Sequence, residues 1–135
     1  IEKSTGDYLC FIDDDIELPS NYFQKAKQII DSNNGVDVFG GPDQTKEDAS
    51  VFQIVLGEVM KSFFAMGPTA LRHKSVGHTI VKGNEINLIL CNLWMKRSLF
   101  DEGYNFPKNY IRNEENILLG QLTANNKKLL YYYNI

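Results

Sequence analysis

Tyr8-Leu9-Cys10-Phe11-Ile12-Asp13-Asp14-Asp15 sets an apolar run directly against three carboxylates. The first five residues are apolar or aromatic without strict alternation. That is the pattern of a strand buried on both faces, as in a mostly parallel sheet. Open α/β sheets bind ligands just beyond the carboxyl ends of their strands, so the acids fall where chemistry is expected. Crowding them has a cost. Two like charges ~4 Å apart repel by about 1 kcal/mol in water and by several when partly desolvated. A divalent cation offsets that repulsion, and hard oxygen ligands suit magnesium, manganese or calcium.

Outward from this stretch the chain alternates. Leu18-Pro19-Ser20-Asn21 opens a helix, with Ser20 as a cap or Pro19 in the first turn. Phe23, Ala26, Ile29 and Ile30 mark its apolar face, and Asn33-Asn34-Gly35 stops it. Val36 to Phe39 reads as a strand ended by Gly40-Gly41-Pro42. Asp48 to Met66 is the most helical segment, with an apolar face so wide that core packing is the default and membrane-surface contact the alternative. Gly67 to Asn87 has little periodicity and carries Arg72, His73, Lys74, His78 and Lys82; long irregular segments are often functional. Leu88 to Met95 is strand-like, and a short helix follows near Ser98. Asn113 is placed to cap a helix to about Ala124, and Leu129 to Tyr133 is a final strand. This order predicts an α/β layer architecture.

Composition narrows the classes. With 135 residues, 43% of them hydrophobic, the chain can bury one compact core. The net charge is −3 and no basic stripe is present, which argues against nucleic-acid binding. Cys10 and Cys91 sit in apolar segments, as buried thiols do, and favour a reducing compartment. No apolar run has the length of a membrane span. His73 and His78 lack zinc-ligand spacing with the cysteines. A strand buried on both faces so early in the chain leads us to expect sheet partners upstream, in a longer protein.

The acids admit several readings. Asp13-Asp14-Asp15 could merely be a solvated turn before a helix. It could be the nucleophile of a haloacid-dehalogenase-type enzyme, but Glu17 stands where that motif has Thr or Val. It could also be the Asp-x-Asp of a nucleotide-sugar-dependent transferase. Glu114-Glu115 could simply complement a helix dipole, worth roughly 0.3–1 kcal/mol, or supply a general base beside a metal-bound substrate.

Three stretches together resemble the family 2 glycosyltransferases. Thr5 to Pro19 is similar to their Gly-x-Tyr-x-x-Phe-Leu-Asp-x-Asp-x-x-x-x-Pro signature. Asn92-Leu93-Trp94-Met95-Lys96-Arg97-Ser98-Leu99-Phe100-Asp101-Glu102-Gly103-Tyr104-Asn105 resembles the stretch that runs through Arg-Arg to Gly-Phe-Asp or Gly-Phe-Asn. Asn113 to Leu119 resembles the Glu-Asp motif and its amphipathic helix. Here the base position holds Glu115 in place of Asp, and Glu102-Gly103-Tyr104 replaces Gly-Gly-Phe.

The resemblance implies a GT-A-like fold of mixed, mostly parallel sheet flanked by helices. It implies that 1–135 is a single, truncated domain lacking the N-terminal nucleotide-binding half, and by itself inactive. The implied reaction is inverting transfer of a sugar from a nucleoside-diphosphate sugar to a carbohydrate or lipid-linked carbohydrate acceptor, in cell-surface polysaccharide synthesis. The implied cofactor is Mn2+ or Mg2+ held by Asp15 and Asp13. Asp13, Asp14, Arg72 and Lys74 would bind the donor. Glu114, Trp94 and Asp43 would meet the acceptor, and Glu115 would be the catalytic base. The expected location is cytoplasmic, at the inner face of the membrane if peripheral contact is made. A non-catalytic sugar- or nucleotide-binding module and a metal-dependent phosphoryl-transfer enzyme are the competing readings.

Overall fold

The structure, a computed structural model, describes residues 1–45, 48–74, 80–110 and 112–135. It is a mixed α/β fold built on a five-stranded sheet of order β1-β4-β2-β5-β3, with β1 Tyr8–Ile12, β2 Val38–Gly40, β3 Ile80–Lys82, β4 Asn92–Lys96 and β5 Leu129–Tyr132. The expected mostly parallel sheet is corrected. Only β2 and β5 pair in parallel, whereas β1–β4, β2–β4 and β3–β5 are antiparallel. The reason is the insertion of β4 between β1 and β2. It runs against both, so β1, β2 and β5 still share one direction although few of them touch.

A second correction concerns β1. It is an edge strand within this sheet, with Leu9 buried and Ile12 exposed, rather than a strand buried on both faces. Its apolar run reflects packing of alternate side chains against different neighbours. Phe11 lies against Phe106 and Phe100, and Tyr8 lies against Phe39.

Alternation along the central strands builds two cores. Val38, Leu93, Met95 and Tyr131 point to one face, where they meet Leu118, Leu119 and Leu122 of α5 (Glu114–Ala124) and Leu99 of α4 (Ser98–Asp101). Phe39, Trp94 and Tyr132 point to the other, against Ala26 and Ile29 of α1 (Tyr22–Ser32). Trp94 stacks on Phe39 with ring centroids 5.6 Å apart. Burial of a large apolar side chain is worth roughly 1.5–3 kcal/mol, so these faces dominate stability. On α1 the buried anchor is Tyr22; Phe23, expected on that face, is exposed.

The segment expected as one helix over 48–66 is two, α2 (Val51–Met60) and α3 (Phe63–Met66), followed by a 3-10 helix over Gly67–His73. Ser50 and Gln53 form a reciprocal capping box at the start of α2. The default of core packing fails here, because no residue of α2 or α3 is buried. Strand β3 was not expected within the aperiodic 67–87 stretch. Among the described residues no single helix is long and apolar enough to cross a membrane.

Candidate functional site

Because β1, β2 and β5 run the same way, their carboxyl ends gather at one end of the sheet. The segments that leave them are Asp13 to Pro19, of which all but Asp14 reach the cleft, Pro42 to Gln44, and Tyr133 to Ile135. With Cys91 and Asn92 at the start of the opposed β4, and Tyr22 and Lys25 of α1, these line a cleft of about 770 Å³. This is where a ligand is expected in an open sheet.

The floor is a buried polar network. The Tyr22 hydroxyl donates to Asn92 Oδ1 at 2.7 Å and accepts from Trp94 Nε1 at 2.9 Å. Asn92 Nδ2 donates to the Pro42 carbonyl at 3.3 Å, and the Gly41 amide donates back to the Asn92 carbonyl. Asn92 thereby ties the Gly40-Gly41-Pro42 turn to β4. A Cβ on Gly40 would collide with the Asn92 carbonyl oxygen, so glycine is required there by close approach. Burial pushes the Tyr22 hydroxyl well above its ordinary pKa. Burial, reinforced by Asp43 and Asp13, pushes the Cys91 thiol up to about 12. A thiol held up in this way forms the thiolate reluctantly. Both cysteines are free thiols.

The walls carry the charge. Asp13 and Asp15 line the cleft, as do Glu17 and Asp43, and Lys25 is the cation in its lining, with Nζ donating to the Asn134 carbonyl at 2.6 Å. Asp14 is exposed and outside the lining. His73 is buried, with Nδ1 3.8 Å from Asp43 Oδ2. Burial lowers the His73 pKa; Asp43 opposes that shift and Arg72 adds to it.

Arg72 does not line the cleft. Its Nε donates to the Ile86 carbonyl at 2.9 Å, and its Nη2 donates at 2.6 Å to both the Glu85 carbonyl and Asn116 Oδ1. Its own carbonyl accepts from the Asp43 amide at 2.9 Å. Arg72 therefore clamps the Asp43 loop to the first turn of α5. Burial lowers its pKa and the Glu115 charge pushes it back up. Glu114 and Glu115 occupy the first turn of α5 as expected, where they complement the helix dipole. Asn113 precedes them in a left-handed conformation, φ 61°, and makes no side-chain cap.

Of the expected site residues, Asp13, Asp15 and Asp43 share the cleft. Glu114, Glu115, Arg72, Lys74 and Trp94 stand outside its lining, and Trp94 is committed to the aromatic stack. The cleft adds Tyr22, Lys25, Gln44, Asn92 and Tyr133, which sequence reasoning did not single out. A polar Asn92 opening an otherwise apolar strand was the one available signal. His78 lies outside the described residues. Among the described residues no group of three or more His, Cys, Asp or Glu could hold a metal ion. A magnesium site completed by substrate phosphates needs only one or two carboxylates, and Asp13 and Asp15 are the two of the acid cluster that line the cleft. Comparison with family models, curated proteins and solved structures gives no match for the chain.

Proposed function

We propose that the cleft is the donor site of an inverting glycosyltransferase acting on a nucleoside-diphosphate sugar. The reading is carried by one observation: Asp13 and Asp15 line a roomy cleft at the gathered strand ends, joined through Asp43 and Arg72 to the helix that bears Glu115. Asp13 and Asp15 would hold a divalent ion, which supplies positive charge to a departing diphosphate. Lys25 adds an ammonium to the cleft lining. The acceptor hydroxyl attacks the anomeric carbon opposite the leaving group. As the new C–O bond forms, the bond from that carbon to the diphosphate oxygen breaks with its electron pair, and the hydroxyl proton passes to the Glu115 carboxylate. A general base within hydrogen-bond reach of the attacking hydroxyl contributes roughly 10²–10⁴-fold.

The test uses the full-length protein. Glu115→Gln should lower turnover by about 10²-fold or more while metal-dependent binding of the nucleoside diphosphate persists. Asp15→Asn should abolish that binding. One observation favours the binding-module reading: Glu115 is not in the cleft lining. Donor binding without turnover in the wild type, indifferent to Glu115→Gln, would select it.

A further inference from the structure

Helix α2 is exposed along most of its surface. Within it Gly57 and Met60 are half-buried, and a Cβ on Gly57 would run into the Thr45 hydroxyl, while Gln53 and Glu58 are exposed. Most of its apolar residues are exposed as well. Val51, Phe52, Ile54, Val55 and Leu56 of α2 and Phe64 of α3 are 44% to 101% exposed. Water alone disfavours such exposure, since burial of each such side chain is favourable. The capping box keeps α2 helical without help from a packed face.

The shape of the patch indicates what covers it. At 3.6 residues per turn, the unbroken apolar arc from Val51 through Val55, Val59, Phe52 and Leu56 to Met60 spans about 180° of the helix, with Ile54 set apart from it by Glu58. A packed partner needs a stripe of about 100°, so one docked helix would leave much of the arc in water. A continuous apolar medium covers all of it. Together α2 and the stretch Phe63–His73 have the length and hydropathy of a membrane span, but they meet at a 69° bend. Such a pair fits into one leaflet better than across two. The charges on α2 and at its end, Glu58 and Lys61, are paired with each other, so attraction to anionic lipid is not the drive.

We infer that α2 and α3 form a docking element that inserts its apolar face into the surface of a lipid bilayer, by apolar burial rather than by charge. The inference does not depend on the chemistry assigned to the cleft. The experiment is flotation of the full-length protein with phosphatidylcholine vesicles, with and without phosphatidylglycerol, in the absence of donor and metal. Wild type should float with both, in low and high salt. Val55→Glu and Phe64→Glu should each reduce the floated fraction about tenfold. Both sites are exposed, so the fold, checked by circular dichroism, should persist. Failure of the wild type to float would overturn the inference. So would unaltered flotation of both variants, or binding that requires phosphatidylglycerol and is lost in salt. Wild type that dimerises through Phe64 without floating would assign the face to a second copy.

Discussion

Helices α5 and α2 are both rich in leucine, isoleucine or valine, yet they meet opposite fates. Leu118, Leu119 and Leu122 of α5 are essentially sealed against the sheet, while α2 buries nothing. The difference lies in what each presents to the protein. α5 sets leucines three and four apart over a sheet face that offers Val38, Leu93 and Met95. α2 has an unbroken apolar arc around about half of its circumference, and Gly57 permits close approach of Thr45. Apolar spacing thus establishes that a helix forms but not which way it faces.

The contrast can be broken most sharply by truncation. Leu119→Ala should cost about 2–5 kcal/mol through lost transfer energy and a residual cavity, read by urea denaturation of the full-length protein. At the cleft, Gly40→Ala should cost about 1–3 kcal/mol by forcing β2 from the Asn92 carbonyl; preserved stability would mean that the turn tolerates displacement. A smaller, pH-dependent effect comes from His73. Its folded pKa is depressed below that of the unfolded chain by burial. The unfolded state therefore takes up the proton first, and stability falls as pH drops through the mid-6 range toward the folded pKa. His73→Gln should flatten that part of the denaturation-midpoint profile. The smallest effect belongs to α2, where Val55→Ala should stay within about 0.5 kcal/mol; a core-sized loss would show that the face is covered within the protein.

Much of this fold is legible in the sequence where periodicity and punctuation agree. Asn33-Asn34-Gly35 stops α1, Glu114-Glu115 opens α5, and Leu129 begins β5, each near the expected place. Direction is not legible. Nothing in Asn92-Leu93-Trp94-Met95-Lys96 states that it will run antiparallel between β1 and β2, because its side chains alternate between two apolar cores in either orientation. Ile80-Val81-Lys82 is too short to show a period. The acids beside β1 marked one wall of the cleft, since a carboxylate cluster at a strand end is a local signal. Lys25 and Tyr133 are far away in sequence, and only the fold brings them to it. Arg72 shows the converse, a basic residue in an irregular segment whose donors go to carbonyls and Asn116 rather than to the cleft.

The interleaved sheet also constrains how the chain can assemble. Tyr8 finds its ladder partner only at Lys96, and Val38 finds one of its partners only at Leu129. Neither strand has a neighbour close by in sequence, so loop-closure entropy must be met before much of the pairing is rewarded. Emerging from a ribosome, β1 and β2 stay without their native ladders until β4 is made, and the cleft they frame closes only once β5 has joined the sheet.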